Sequence, residues 1–393
     1  MSILNCSDEN KLKFLLFKSF ASNNSMWAEA LSNVTGSDCN YGNYSNLKLS
    51  PHLNLQIEDV CKVIYAILTP IIVSVGTLGN ILSLTVFLSK FMRRLSSSCY
   101  LTTLSICHIL ILITYVLFDW LHRGLGYWPG YELINLMSYR GVCHSFLYIS
   151  YTLRFTSVWL IVAFAVERYV AICHPRYRRL VCGRSFAKKV TLTTIVCAGL
   201  FCVYKPALSV VYQIKNTRLC VANPEYRQLN FIMDSVYVIM ITALPSSVIS
   251  TLSVLILRRL RAIGSAQNAQ RLVFKEHRLR IELTVILLAI AWCFILLTLP
   301  YFVTWCLQFF HSFSYNTPFY NGNDPFLLEV FSGHVAITRT IYYLNYATNF
   351  FLYCLTGAHY RRQVRGILRR NSCQTRLTGL QDNIKQQHRT SSI

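Results

Sequence analysis

Long apolar runs separated by short polar stretches dominate the chain. Seven of them, at about 63–88, 99–121, 143–166, 190–211, 231–257, 281–307 and 335–355, approach or exceed the roughly 18–20 residues an α-helix needs to cross the hydrocarbon layer of a bilayer. The pattern predicts an all-α, seven-transmembrane helix bundle. A polar tail spans 1–59, the bundle 60–356, and a terminal segment 357–393. In that last segment Tyr360, Val364, Ile367 and Leu368 share one helical stripe with arginines opposite, which predicts a short amphipathic helix on the membrane surface. An odd number of spans puts the two ends of the chain on opposite sides.

Charge then chooses the sides. The chain carries 38 Lys+Arg against 16 Asp+Glu, a formal charge of +22, but the basic residues cluster between apolar runs and not along one polar face. A membrane, and no nucleic acid, is the partner implied. Lys90, Arg93 and Arg94 follow the first run; Arg176, Arg178, Arg179, Arg184, Lys188 and Lys189 the third; Arg258, Arg259, Arg261, Arg271, Lys275, Arg278 and Arg280 the fifth; and Arg361, Arg362, Arg365, Arg369 and Arg370 the last. By the positive-inside rule these segments are cytoplasmic and the N-terminus is extracellular. Four glycosylation tripeptides, at Asn5, Asn23, Asn33 and Asn43, fall in the tail assigned to the outside. The short run 11–20 is broken by Lys18 and lacks a small-residue cleavage site, so the first span is expected to act as the signal anchor.

The chain has fifteen cysteines, several inside spans, where a thiol is a small apolar packing group. Cys143, at the outer start of the third span, and Cys220, in the outer loop after the fourth, both face the oxidising side and are expected to bond. Cys6 and Cys39 either pair in the tail or remain separate thiols. A Gly-rich phosphate loop, HExxH and GxSxG are all absent from the sequence. No enzymatic activity, cofactor or metal site is expected.

At the inner end of the third span stands Glu167-Arg168-Tyr169, with Arg168 lying 25 residues after Cys143. The first span supplies Gly79-Asn80, the fifth and sixth Pro245 and Pro300, the sixth also Phe294, and the seventh ends Asn349-Phe-Phe-Leu-Tyr353. In this combination the chain resembles the rhodopsin-like (class A) G-protein-coupled receptors from about residue 60 to 370. Its seventh-span ending, Asn345-Tyr-Ala-Thr-Asn349-Phe-Phe-Leu-Tyr353-Cys-Leu-Thr-Gly357, looks most like invertebrate FMRFamide-type neuropeptide receptors. The resemblance implies a plasma-membrane receptor that binds an extracellular peptide and activates a heterotrimeric G protein. Glu167 would hold Arg168 by a charge-assisted bond while the bundle is closed, and the sixth helix would swing about Pro300 to free it. Thr375, Thr378, Thr390, Ser391 and Ser392 would recruit arrestin-like and kinase partners if phosphorylated, and Cys373 is a palmitoylation candidate. Other readings are a small-molecule chemoreceptor of the same fold, a non-signalling decoy, and a transporter or channel, which would show paired hydropathy repeats that are not found.

Ionisable side chains within spans are costly and therefore functional candidates. Arg154 lies eleven residues after Cys143, about 16 Å along a helix, and within about 40° of Arg168 in helical angle. Arg339, Asp119 and Asp234 lie nearer the outer ends of their spans. Either Arg154 and Arg339 take ligand acceptors while Asp119 and Asp234 take ligand cations, or these groups pair among themselves, Arg339 with Asp119 for instance.

Several positions depart from the family pattern, among them a fourth span without its usual tryptophan and Ser253 where the fifth often carries a tyrosine. His108 stands where an aspartate is usual, which predicts no allosteric sodium site because an imidazole is a poor sodium ligand. Thr298 replaces a tryptophan, and Phe350 replaces the proline of Asn-Pro-x-x-Tyr. They leave open whether activation is altered.

Overall fold

The computed structural model describes residues 51–125, 139–214, 217–266, 274–314 and 333–367. The glycosylation tripeptides, Cys6, Cys39, Cys373 and the C-terminal Ser/Thr cluster lie outside these residues. Helix α1 is Pro51–Phe87 and α2 is Ser96–Arg123. Helix α3 is Arg140–Cys173, α4 is Arg184–Cys202, and α5 runs through Arg227–Val238, Ile239–Ala243 and Leu244–Ala266. Helix α6 is Phe274–Ser314, α7 is Gly333–Ala347 followed by Asn349–Thr356, and α8 covers 358–367. An antiparallel hairpin, β1 (Ser209–Ile214) and β2 (Thr217–Ala222), joins α4 to α5.

Among the described residues six helices are long and apolar enough to cross a membrane; the seventh is divided at Thr348 into two shorter pieces. A helix closes most of its backbone hydrogen bonds within itself, which a lipid environment demands. The outward faces of the bundle carry exposed Leu78, Leu192, Leu200, Leu296 and Leu355, side chains that lipid can cover. Because lipid tails are as apolar as leucine, the helices are held by close packing and interhelical hydrogen bonds more than by the hydrophobic effect. Glycines in α1 show the packing term. A Cβ on Gly76 would sit 2.8 Å from Ala347 Cβ and 2.9 Å from Leu112 Cδ1, and one on Gly79 would sit 3.0 Å from Phe350 Cβ. Asn80 adds the polar term, donating through Nδ2 to Gly76 O and to Tyr346 O at 2.8 Å each, so that α1 is stitched to α7.

Helix ends differ from the sequence expectation for identifiable reasons. Helix α3 runs on past 166 to Cys173, carrying Glu167 and Arg168 beyond the most apolar stretch, and stops where Pro175 disfavours a helical residue before it. The fourth apolar run was expected to be helical to 211. Instead α4 ends at Cys202, a short turn Tyr204–Ala207 follows, and 209–214 is a strand. That segment is β-branched and pairs with 217–222, and hydropathy alone does not separate it from helix. Both α2 and α5 contain a π turn, Leu112–Val116 and Ile239–Ala243. The one in α5 lies immediately before Leu244-Pro245, where the proline ring crowds the preceding turn and removes a donor.

The buried residues form one cluster toward the Arg168 end, including Phe87, Leu101, Phe164, Ile256, Leu287, Tyr353 and Tyr360. A second, with Tyr65, Ile111, Leu112, Tyr342 and Tyr343, lies toward the Cys143 end. On α8, Tyr360 is buried and Val364 and Ile367 half-buried, while Arg361, Arg362 and Arg365 are exposed, the division expected of an amphipathic helix. Leu368 falls outside the described residues.

Candidate functional site

At the Arg168 end, Glu167 and Arg168 are both buried and paired through Glu167 Oε1 and Arg168 Nη2. The same Oε1 accepts hydrogen bonds from the hydroxyls of Ser96 and Ser97 on α2, at 3.0 Å each. Two serines at the start of α2 therefore fix the carboxylate, and the carboxylate fixes the guanidinium, which also lies 5.7 Å from the centre of the Phe164 ring. Tyr169 is half-buried at the helix edge and its hydroxyl lies 3.3 Å from His174 Nε2. Tyr353 is fully buried against Phe87, ring centres 5.1 Å apart, and against Tyr360 at 5.3 Å. Tyr360 in turn exchanges a hydrogen bond with Ser83 at 2.9 Å. These contacts bind α7 and α8 to the end of α1.

Midway along the bundle, the positions that depart from the family pattern hydrogen-bond to one another's helices. Asn349 Nδ2 donates to His108 Nδ1 at 3.0 Å, and Asn345 Nδ2 donates to Thr298 Oγ1 at 2.8 Å. Thr298, two residues before Pro300, itself donates to Phe294 O at 2.5 Å, one turn back along α6. His108, Ser157, Phe294, Asn345 and Asn349 share the wall of a small cavity that contains no carboxylate. Phe350 fits where a proline is usual because Gly79 leaves room for its Cβ.

Toward the Cys143 end, the disulfide between Cys143 and Cys220 pins the β-hairpin to α3. His144 reinforces it, its Nε2 lying 3.1 Å from Ser209 O. Beneath the hairpin the four charges singled out from the sequence separate into two groups and one remainder. Asp119 accepts from Tyr65 at 2.6 Å, Tyr343 at 2.7 Å, Arg123 at 3.1 Å and Arg339 at 3.3 and 3.4 Å, which ties α1, α2 and α7 together. Asp234 accepts from Lys205 at 2.6 Å, Asn230 at 3.0 Å and Tyr204 at 3.0 Å, tying the end of the fourth span to α5. Arg154 has no carboxylate partner among the described residues. Its Nε donates to Ser150 O at 3.1 Å, and its guanidinium lies 4.3, 4.6 and 5.8 Å from the ring centres of Tyr115, Tyr151 and Tyr237. Cation–π attraction replaces ion pairing there.

Lys205 escaped the sequence reading, although a lysine inside an apolar run is the same signal that marked Arg154. Arg123 was equally legible, four residues after Asp119 on one helix face. Tyr65, Tyr343, Ser96 and Ser97 carry no comparable signal, since their role depends on which helices become neighbours.

The comparisons with known proteins agree with this geometry. The chain is similar to the FMRFamide receptor of Drosophila melanogaster, 24% identical over 354 residues that take in 83% of this chain and 59% of that one. The growth hormone secretagogue receptor type 1 of Mus musculus is 27% identical over 339 residues, 81% of this chain and 85% of that protein. The thyrotropin-releasing hormone receptor of Bos taurus is 28% identical over 173 residues, 44% of this chain; the match spans only 40% of that relative's length. Residues 79–353, which hold Asn80, the Glu167–Arg168 pair, the Cys143–Cys220 bond and Tyr353, match the family model of the seven-transmembrane receptors of the rhodopsin family. The chain is thus a multi-pass membrane protein of a receptor family, not an enzyme family, and it belongs to the rhodopsin family of seven-transmembrane receptors.

Proposed function

We propose that this protein is a plasma-membrane receptor, its N-terminus outside the cell, that is activated by an extracellular peptide and promotes nucleotide exchange on a heterotrimeric G protein. The observation that carries the reading is the buried Glu167–Arg168 pair, held on α2 by Ser96 and Ser97. A guanidinium at the cytosolic end of a membrane helix, compensated by its own neighbour, is a contact that a shift in the bundle exposes. The three relatives are named for FMRFamide, a secretagogue of growth hormone, and thyrotropin-releasing hormone, which favours a peptide ligand here.

Arg154 is the ligand contact this reading prefers. A buried cation with no carboxylate beside it is costly, and an acidic acceptor brought by a ligand would offset that cost, whereas Asp119, Arg339 and Asp234 are already paired. Their groups shape the wall of the ligand site. On the inner side, α8 lies on the leaflet with Cys373 as an acyl anchor beyond it, and the Ser/Thr tail takes kinases and arrestin-like partners.

A library of synthetic peptides, each made as the amide and as the free acid, applied to cells carrying the receptor and a promiscuous G-protein reporter, tests the reading. A saturable response that protease treatment of the peptide abolishes is expected. Response only to a protease-resistant small molecule would overturn the peptide assignment, and binding without nucleotide exchange would overturn the coupling assignment.

A further inference from the structure

The proposed coupling has α6 swing to uncover Arg168, yet among the described residues no hydrogen bond or ion pair joins Arg168 to α6. The tie of α6 runs elsewhere. Glu282, near the start of α6, accepts from the backbone N–H of His359 at 2.6 Å through Oε1 and from His359 Nδ1 at 2.6 Å through Oε2. His359 is the second residue of α8, so its amide belongs to the first turn of a helix, where no intrahelical carbonyl is available. The acid that caps α8 therefore comes from α6, and a carboxylate at a helix N-terminus also gains from the helix dipole. Both side chains are largely buried, at 10% and 19% exposed, and the far face of the imidazole stacks on Phe91 with ring centres 6.3 Å apart. Gly357 makes the approach possible: a Cβ there would lie 2.8 Å from Tyr353 O, 2.9 Å from Tyr360 Cβ and 3.2 Å from Ile286 Cδ1 on α6.

We infer that Glu282 and His359 form a clasp that holds α6 in its closed position, making Glu282 a positioning residue for transducer access. The inference rests on the proposed coupling function. Glu282 lies 18 residues before Pro300, a lever of about 27 Å at 1.5 Å per residue, so a bend of roughly 10° at Pro300 carries the carboxylate some ~5 Å and parts both bonds. The rest of the contact stays behind, because α8 is anchored to α1 through Tyr360 and Ser83 and to the segment after α1 through Phe91. Opening parts the Glu282–His359 bonds and draws Ile286 away from Gly357, while the Tyr360–Ser83 tie between α8 and α1 stays in place.

The test uses the full-length receptor in nanodiscs without ligand or G protein, with spin labels attached through genetically encoded ketone side chains at Ile281 on α6 and Phe186 on α4, both solvent- or lipid-exposed positions. Electron–electron distance distributions are compared for the wild type, Glu282→Ala, Glu282→Gln and His359→Ala, alongside ligand-independent nucleotide exchange on added G protein. Glu282→Ala is expected to raise the long-distance population roughly tenfold, the effect of losing one charge-assisted bond's worth of bias. His359→Ala, which keeps the amide donor, gives a smaller rise, and Glu282→Gln, which still accepts from that amide, stays near wild type. A wild-type distribution in both alanine variants would overturn the clasp; should Glu282→Ala fail to fold, His359→Ala alone decides it. An opened distribution without a rise in basal exchange leaves the clasp standing and counts against the coupling function.

Discussion

Asp119 shows how one side chain is specified by its surroundings. Four residues on three helices donate to its two oxygens, so the ion is buried without being left bare. Removing one member of such a pair strands the other, at a cost of about 3–5 kcal/mol. Asp119→Asn should therefore lower the thermal unfolding midpoint of the purified receptor markedly, and Asp119→Asn combined with Arg339→Gln should be less destabilised than the sum of the single changes. Strict additivity would show that the pair is not coupled. Arg154 predicts the opposite pattern. Arg154→Gln removes a cation that has no carboxylate to strand, so folding and surface expression should be retained while peptide potency drops by at least tenfold, read from concentration–response curves. Unchanged potency would remove Arg154 from the ligand site.

Among elements, the α1–α7 contact is the most exacting. With Ala347 Cβ and Leu112 Cδ1 both inside 3.0 Å of a Cβ on Gly76, Gly76→Ala must push the two helices apart, and a reduced surface level with a lower melting point is expected. The same residue exchange at Gly141, which has nothing within 4 Å, should be tolerated and serves as the control. Opening the Cys143–Cys220 bridge with Cys220→Ser frees the hairpin from α3 and should cost about 2–5 kcal/mol, visible as lost surface receptor. What the sequence made legible follows from the same physics. Long apolar runs reveal helices fit to cross a bilayer, because lipid punishes every unsatisfied backbone group and every stray charge, and arginine clusters set the sense expected of them. The cysteine pair was legible from sidedness, and the amphipathic stripe around Tyr360 from its period. Hydropathy carries no information on the strand at 209–214 or on the π turns at Leu112–Val116 and Ile239–Ala243, which depend on pairing and on local crowding. Nor does it reveal which helices become neighbours, and so Ser96 and Ser97 as the support of Glu167, or Glu282 as the cap of α8, emerge only in three dimensions.

For the whole molecule, the proposed function makes activation a choice between two arrangements of the bundle, and the polar residues at its centre set what else would bias that choice. His108, Ser157, Asn345 and Asn349 line a cavity without a carboxylate, so agonist affinity should be the same in sodium chloride and in N-methylglucamine chloride. Introducing His108→Asp should make it sodium-sensitive; sensitivity already present in the wild type would refute this account of the cavity. The central claim concerns Arg168. With receptors matched for surface density, peptide-stimulated nucleotide exchange is measured for the wild type and for Arg168→Gln, which keeps a polar side chain of similar reach but has no charge to offer a transducer. The account predicts that peptide binding survives and stimulated exchange falls to the unstimulated level; full exchange in Arg168→Gln would contradict it.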